Sequence, residues 1–176
     1  EGIQVIDYGN SVEAAFAQTY DNLEIVLSDD CSVDGTFAVM EELAASYSGS
    51  HRVVLNRNEK NLGIGPHVQH AVHLAEGEYL VMAGGDDVSL PGRVSSSMDV
   101  IRAHGELGGV LGRYHEFSGE FTDQGRWKPL RRETVEIITG ESDAWFEQAL
   151  KGKFIGVSGS VAMWNRKLFD LFSPFP

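Results

Sequence analysis

Leu23-Glu24-Ile25-Val26-Leu27, followed directly by Ser28-Asp29-Asp30-Cys31-Ser32-Val33-Asp34-Gly35-Thr36, is an apolar run that ends in carboxylates and then opens a helix. A short, nearly continuous apolar run of this kind suits a buried parallel strand. Two adjacent carboxylates at its end repel one another, and nothing in the strand neutralises them. Asp29 and Asp30 are therefore candidates to accept hydrogen bonds from a base N–H or a ribose hydroxyl. Asp34 and Thr36 have a plainer alternative, since either can satisfy the first free N–H groups of the helix.

Outward from this stretch, strand and helix signals alternate. Residues 2–8 carry Ile3, Val5 and Ile6, a weak strand, and Asn10 or Ser11 opens a short helix to about Gln18. Residues 36–47 place Phe37, Met40, Leu43 and Ala44 on one helical face. Val53-Val54-Leu55 is a strand, 66–74 a helix, and Tyr79-Leu80-Val81-Met82 a further strand. Pro91 suits the first turn of a helix running to about Ala103. Beyond it come a strand at 109–114, a hairpin at 117–127 turning at Asp123-Gln124-Gly125, and a helix at 141–150. A strand at 160–164 and a helix from about Arg166 follow. The βαβα rhythm predicts an α/β fold, a mostly parallel central sheet with helices on both faces and mixed strands in the second half. In it 23–27, 53–55 and 79–82 are expected to lie parallel in one sheet. Ligands of such sheets bind beyond the carboxyl ends of the strands.

Two further polar clusters sit at strand ends. Asn58-Glu59-Lys60-Asn61-Leu62-Gly63-Ile64-Gly65-Pro66 links a strand to a helix. It reads as a turn needing glycine at positive φ, or as a loop whose backbone approaches a ligand with Lys60 near phosphates. Neither a P-loop nor a GxGxxG pattern is present. Ala83-Gly84-Gly85-Asp86-Asp87 follows a strand and precedes Ser89-Leu90-Pro91. Hard carboxylate oxygens there suit Mg²⁺ or Mn²⁺, which typically bridges one or two acids to substrate phosphates. The plainer reading is a solvated acidic turn that caps the next helix. His67, His70 and His73 drift round their helix with no carboxylate among them, so they read as solvated or partly packed. Cys31 reads as a small buried residue.

Composition sets the outer limits. A chain of 176 residues is one domain, long enough to bury a core without staples. Its formal charge of −12 argues against nucleic acid as a partner. The single cysteine cannot form an internal disulfide, which points to a reducing compartment. No apolar run approaches the roughly 20 residues of a membrane span, and no signal peptide is visible. Both ends read as those of a fragment.

Together these residues resemble the family 2 glycosyltransferases, with the GT-A nucleotide-diphospho-sugar fold, from about Ser11 to Phe172. The segment 18–26, Gln18-Thr19-Tyr20-Asp21-Asn22-Leu23-Glu24-Ile25-Val26, resembles that family's approach to its second strand. The segment 29–36 is similar to its DDxSxDGT signature, Asn61-Leu62-Gly63 to its NxG turn, and Gly84-Gly85-Asp86-Asp87 to its DxD-type motif. The resemblance implies sugar transfer from a nucleotide-diphospho-sugar donor to an acceptor hydroxyl, inverting and assisted by Mn²⁺ or Mg²⁺. The donor-contacting set would be Asp29, Asp30, Asp34, Asn61, Gly63, Asp86 and Asp87. Asp29 and Asp34 would meet the base and ribose, and Asp86 the metal and diphosphate. Residues 1–105 would form the nucleotide-binding half and 106–176 an incomplete acceptor-side half, with Gly159-Ser160-Val161-Ala162-Met163 on the acceptor side. The acceptor would be a saccharide, a lipid-linked group or a protein. A bacterial-type, cytoplasmic location is implied, with peripheral attachment to the inner face of the membrane as a further option.

The sequence departs from the family at three places. Gly84 stands where the DxD pattern has its first acid, which removes one ribose or metal contact. Asp7-Tyr8-Gly9-Asn10 replaces the expected polar turn after the first strand. The catalytic base, an acid, is expected beyond Pro176, so no residue here is named for it. Two other readings fit parts of the pattern. One is a degenerate, non-catalytic module that binds a nucleotide sugar or a partner. The other is a nucleotidyl transferase of the Gly-Asp-Asp type, against which the acidic charge speaks.

Overall fold

The computed structural model describes residues 8–105, 108–112 and 162–172, all within one compact unit. In chain order they form α1 (Tyr8–Phe16), β1 (Glu24–Asp29), α2 (Thr36–Ser46), β2 (Arg52–Arg57), α3 (Ile64–Leu74) and β3 (Tyr79–Val81). After these come α4 (Arg93–His104), β4 (Gly109–Leu111), β5 (Ala162–Asn165) and α5 (Arg166–Phe172). The α/β alternation is as expected. Tyr8 belongs to α1 rather than to a strand. Residues 2–7, the hairpin at 117–127 and the helix at 141–150 lie outside the described residues. Helix α3 starts two residues before Pro66, which therefore sits in its first turn, where a missing N–H is tolerated.

β1 and β2 pair in parallel, with Ile25 opposite Val53, Leu27 opposite Leu55 and Asp29 opposite Arg57. The third expected partner is elsewhere. β3 pairs antiparallel with β5, Tyr79 opposite Asn165, and β4 pairs with the other edge of β5, giving the order β3-β5-β4. Ala162 and Met163 of β5 are almost fully buried, so β5 takes the centre of this second sheet and the three-residue strands flank it. The architecture is thus α/β with a parallel pair and a separate antiparallel sheet.

Each sheet has its own apolar cluster. Val12, Ile25 and Leu27 pack with Phe16, Met40, Leu43, Ala44 and Val53, which joins α1 and α2 to the parallel pair. Val94, Ile101 and Met163 pack with Tyr20, Tyr79, Val81, Met98 and Val110, which joins α4 to the second sheet. Leu23 touches both clusters.

Long-range polar ties reinforce the packing. The buried Gln18 amide donates to Ala14 O (3.1 Å) and Leu90 O (2.9 Å), while its carbonyl accepts from Val94 N–H (3.2 Å). Gly92, the N-cap of α4, has no side chain to offer, so Gln18 caps that helix from a distance. Arg166 donates from Nε to Gly77 O (2.7 Å), from one terminal nitrogen to Val72 O (3.1 Å) and from the other to Ala75 O. It thereby closes the C-terminal end of α3, where a cation is favoured. Arg52 bridges Glu24 and Glu76 at the opposite edge of β1 and β2. Among the described residues no helix is long and apolar enough to cross a membrane.

Candidate functional site

Successive side chains of a strand point to opposite faces. Asp29, the last residue of β1, follows Ile25 and Leu27 inward and is 2% exposed. Its carboxylate accepts from Ser32 N–H (3.0 Å) and lies 3.4 Å from Arg57 Nε, and Arg57 in turn stacks over Phe37. Asp30 turns the other way and gathers the second loop. Its Oδ1 accepts from Asn58 Nδ2 (2.7 Å) and Leu62 N–H (2.9 Å), its Oδ2 from Gly63 N–H (2.9 Å), and its carbonyl from Asn61 Nδ2 (3.1 Å). Asn58 also bonds His67 Nδ1 at 2.9 Å. Gly63 sits at φ 80°, the left-handed region the turn reading required. Burial pushes the Asp30 carboxyl upward, but the Leu62 N–H, the Asn58 amide, the Gly63 N–H and nearby His67 outweigh it and hold its pKa below the ordinary 3.8. Asp30, Asn61 and Gly63 are thus brought together, with Asp30 as the anchor of the loop.

Asp34 is exposed, and its Oδ1 accepts from the Thr36 hydroxyl (2.5 Å) and N–H (2.9 Å) at the start of α2. Both bonds hold its pKa low. The capping alternative is therefore realised, with Asp34 serving α2 in place of its neighbour Gly35. Between the acids, Cys31 departs from the expected buried role. It is half-buried, with φ 61° and its thiol 3.7 Å from Glu59 O. A side chain in that conformation costs about 1–2 kcal/mol. Cys31→Gly is expected to stabilise the chain by about 0.5–1 kcal/mol, the gain being reduced by the greater freedom of unfolded glycine. A calorimetric melting temperature that stays level or falls would contradict this.

The acidic turn beyond β3 is closed on itself. Asp87 N–H donates to Gly84 O (3.2 Å), and Gly84 N–H donates to Asp87 Oδ2 (3.3 Å). The Ser11 hydroxyl of α1 lies 2.6 Å from Asp87 O, 2.8 Å from Gly85 O and 3.4 Å from Gly84 O. A Cβ at position 84 would stand 2.9 Å from both Asp86 Oδ1 and Asp87 Oδ2. Glycine at 84 therefore leaves room for the two carboxylates to converge on one point. Their hard oxygens fit a Mg²⁺- or Mn²⁺-type ion, as the exposed position of Asp86 also does. Among the described residues no three His, Cys, Asp or Glu side chains form a metal cluster, so these residues would supply the two carboxylates of Asp86 and Asp87. His70 and His73 are exposed, His67 is half-buried and Lys60 is exposed.

Sequence reasoning missed Ser11, Gln18, Asn58 and Arg93. Arg93 carried a readable signal, a cation in the first turn of a helix, where the macrodipole disfavours it. Gln18 carried another, an amide next to the apolar stripe of α1.

The chain matches the family model of Glycosyl transferase family 2 over residues 9–171. EpsE of Bacillus subtilis (strain 168) is 33% identical over 94 residues, 53% of this chain and 33% of that protein. Chondroitin synthase of Escherichia coli is 34% identical over 91 residues, 52% of this chain and 13% of that one. The matched part of the chain thus spans a third or less of these relatives. Among solved structures, TarS of S. aureus in complex with UDP-GlcNAc superposes with a TM-score of 0.68 at 19% identity, over 96% of this chain and 44% of that one. The mannosyltransferase PcManGT of Pyrobaculum calidifontis, in complex with GDP-Man and Mn²⁺, gives 0.66 at 17% identity, over 99% and 45%. The α/β arrangement above is that of the GT-A glycosyltransferases, and the chain belongs to glycosyl transferase family 2.

Proposed function

We propose that the chain is the donor-binding part of an inverting transferase that moves a sugar from a nucleoside diphosphate to an acceptor hydroxyl. The observation that carries this is a pair of acidic loops beyond β1 and β3, each fixed by its own hydrogen bonds, the first with the exposed Asp34 carboxylate and the second with those of Asp86 and Asp87. Asp29 and Asp34 serve the base and ribose, Asn61 and Gly63 line the loop that Asp30 holds, and Asp86 with Asp87 faces the diphosphate. Residues 1–105 form the nucleotide-binding half and 106–176 the acceptor-side half. In the reaction the acceptor oxygen attacks the anomeric carbon while its proton passes to a carboxylate base. The bond from that carbon to the diphosphate oxygen breaks, and its electron pair leaves with the nucleoside diphosphate. Asp86, with Asp87, would hold a divalent ion, which when bound would supply charge that stabilises this leaving group. The TarS complex with UDP-GlcNAc and the PcManGT complex with GDP-Man and Mn²⁺ support a nucleotide-sugar donor and a metal. We place the chain in the cytoplasm, acting on a saccharide, lipid-linked or protein acceptor.

Because the described residues offer a metal few ligands, Mn²⁺ and nucleotide are expected to bind with positive, reciprocal coupling. Calorimetric titration of UDP and GDP, with and without Mn²⁺, measures it. Asp86→Asn is expected to abolish the coupling and barely move the melting temperature, since Asp86 is exposed. Tight Mn²⁺ binding without nucleotide, or full coupling in the variant, overturns the reading.

A further inference from the structure

Arg93 is the first residue of α4 and is half-buried, two conditions that disfavour a cation. Burial lowers its pKa, and Asp87 acts in the opposite direction. Both terminal nitrogens of its fork are nevertheless engaged. One terminal nitrogen donates to Ser89 Oγ at 2.8 Å, and the other donates to Met82 O at 2.9 Å and Ala162 O at 3.4 Å. Met82 leaves β3 and Ala162 opens β5, so a single guanidinium ties two strand ends together beside the acidic turn. Asp87, which its charge favours through space, is the acid whose Oδ2 closes that turn onto Gly84. Ser11 grips the same turn through the carbonyls of 84, 85 and 87 from the side of α1.

We infer that Arg93 is a positioning residue for the acidic turn: its fork ties the exit of β3 at Met82 to Ser89 and to the start of β5, the two flanks of the turn, so that Asp86 and Asp87 are presented together at Gly84. The inference deepens the donor-and-metal reading and rests on it for its functional half. Lysine keeps the charge but cannot span Met82 O, Ser89 Oγ and Ala162 O at once. A role of charge alone survives Arg93→Lys, whereas a role of geometry does not.

The test compares the chain with its Arg93→Lys and Ser89→Ala variants. In the ligand-free protein, amide hydrogen exchange is expected to be at least tenfold faster at Gly84 and Asp87 in Arg93→Lys, and to be unchanged at Ile25 and Leu27 of β1. Titration with UDP is expected to lose at least tenfold of its Mn²⁺-dependent gain in affinity, while affinity without Mn²⁺ is retained. Ser89→Ala, which removes one acceptor, is expected to show a smaller change in the same direction. Unchanged exchange at Gly84 and Asp87 in a folded Arg93→Lys chain overturns the inference. If Arg93→Lys fails to fold, unchanged exchange in Ser89→Ala overturns it. Absence of UDP binding by the unaltered chain, with or without Mn²⁺, would overturn the nucleotide reading and the functional half of this one, while exchange still decides whether Arg93 holds the turn.

Discussion

Asp30→Asn is expected to weaken the chain by about 2–4 kcal/mol and to release the loop at 58–63. The carboxylate accepts from Leu62 N–H, Gly63 N–H and the Asn58 amide, and an amide in its place turns an NH₂ toward donors. Hydrogen bonds to a charged acceptor contribute about 1.5–3 kcal/mol each. The total is taken well below their sum because the Asp30 side chain is 19% exposed and water replaces part of what is lost. The same bonds make the effect dependent on pH. The folded-state pKa is depressed, so the stabilisation is present above the unfolded value near 3.8 and is lost as the pH falls through the lower folded value. Urea titrations at pH 7 and across the range below pH 4 check both points. The expected result is a variant whose deficit is large at pH 7 and shrinks in acid. A deficit independent of pH would remove Asp30 as the anchor. UDP affinity is expected to fall with the loss of the loop, even though Asp30 itself is occupied by protein donors.

Gln18→Ala is expected to cost about 2–3 kcal/mol. The side chain is 7% exposed and satisfies Leu90 O and Val94 N–H as well as Ala14 O. Truncation leaves a cavity and strands the Val94 N–H, worth about 1–3 kcal/mol, while Leu90 O keeps its bond from Arg93 N–H. Gln18→Glu separates the contributions. It keeps the acceptor for Val94 N–H but loses the donor to Leu90 O and buries a charge, so it is expected to be no better than alanine at pH 7 and to recover in acid. A Gln18→Ala chain that melts within a degree or two of the parent would show that α4 finds its cap elsewhere.

The strongest sequence signals were local. The run at 23–27, its acidic end, and the glycine that the 58–66 turn requires were all readable, because apolar patterning and backbone sterics act within a few residues. The sequence also pointed to β1 and β2 as parallel neighbours. Which of two adjacent acids faces the core depends on strand register, and so the burial of Asp29 and the outward turn of Asp30 were not separable beforehand. That Asp30 anchors Leu62 and Gly63 was hidden for another reason, since its donors lie more than thirty residues along the chain. β3 was placed in the wrong sheet because a three-residue strand carries too little alternation to select a partner. The choice is made by β5, whose buried Ala162 and Met163 lie far downstream. Cys31 was misread because its conformation, not its chemistry, distinguishes it.

The pairing of β3 with β5 also sets an order of events during synthesis. β1 and β2 join across a short excursion through α2, whereas Tyr79 waits for Asn165 and Arg93 waits for Ala162. Closing a threefold longer loop adds roughly 1 kcal/mol of entropy to the step, and non-local pairings of this kind form late. A chain still emerging from the ribosome can therefore complete its Asp29–Asp30 loop long before its acidic turn has both strand ends to rest on. On the proposed donor-binding reading, capacity to hold a nucleotide's base precedes capacity to hold its diphosphate, and the nascent protein would pass through a stage in which half of the ligand's contacts exist without the other half.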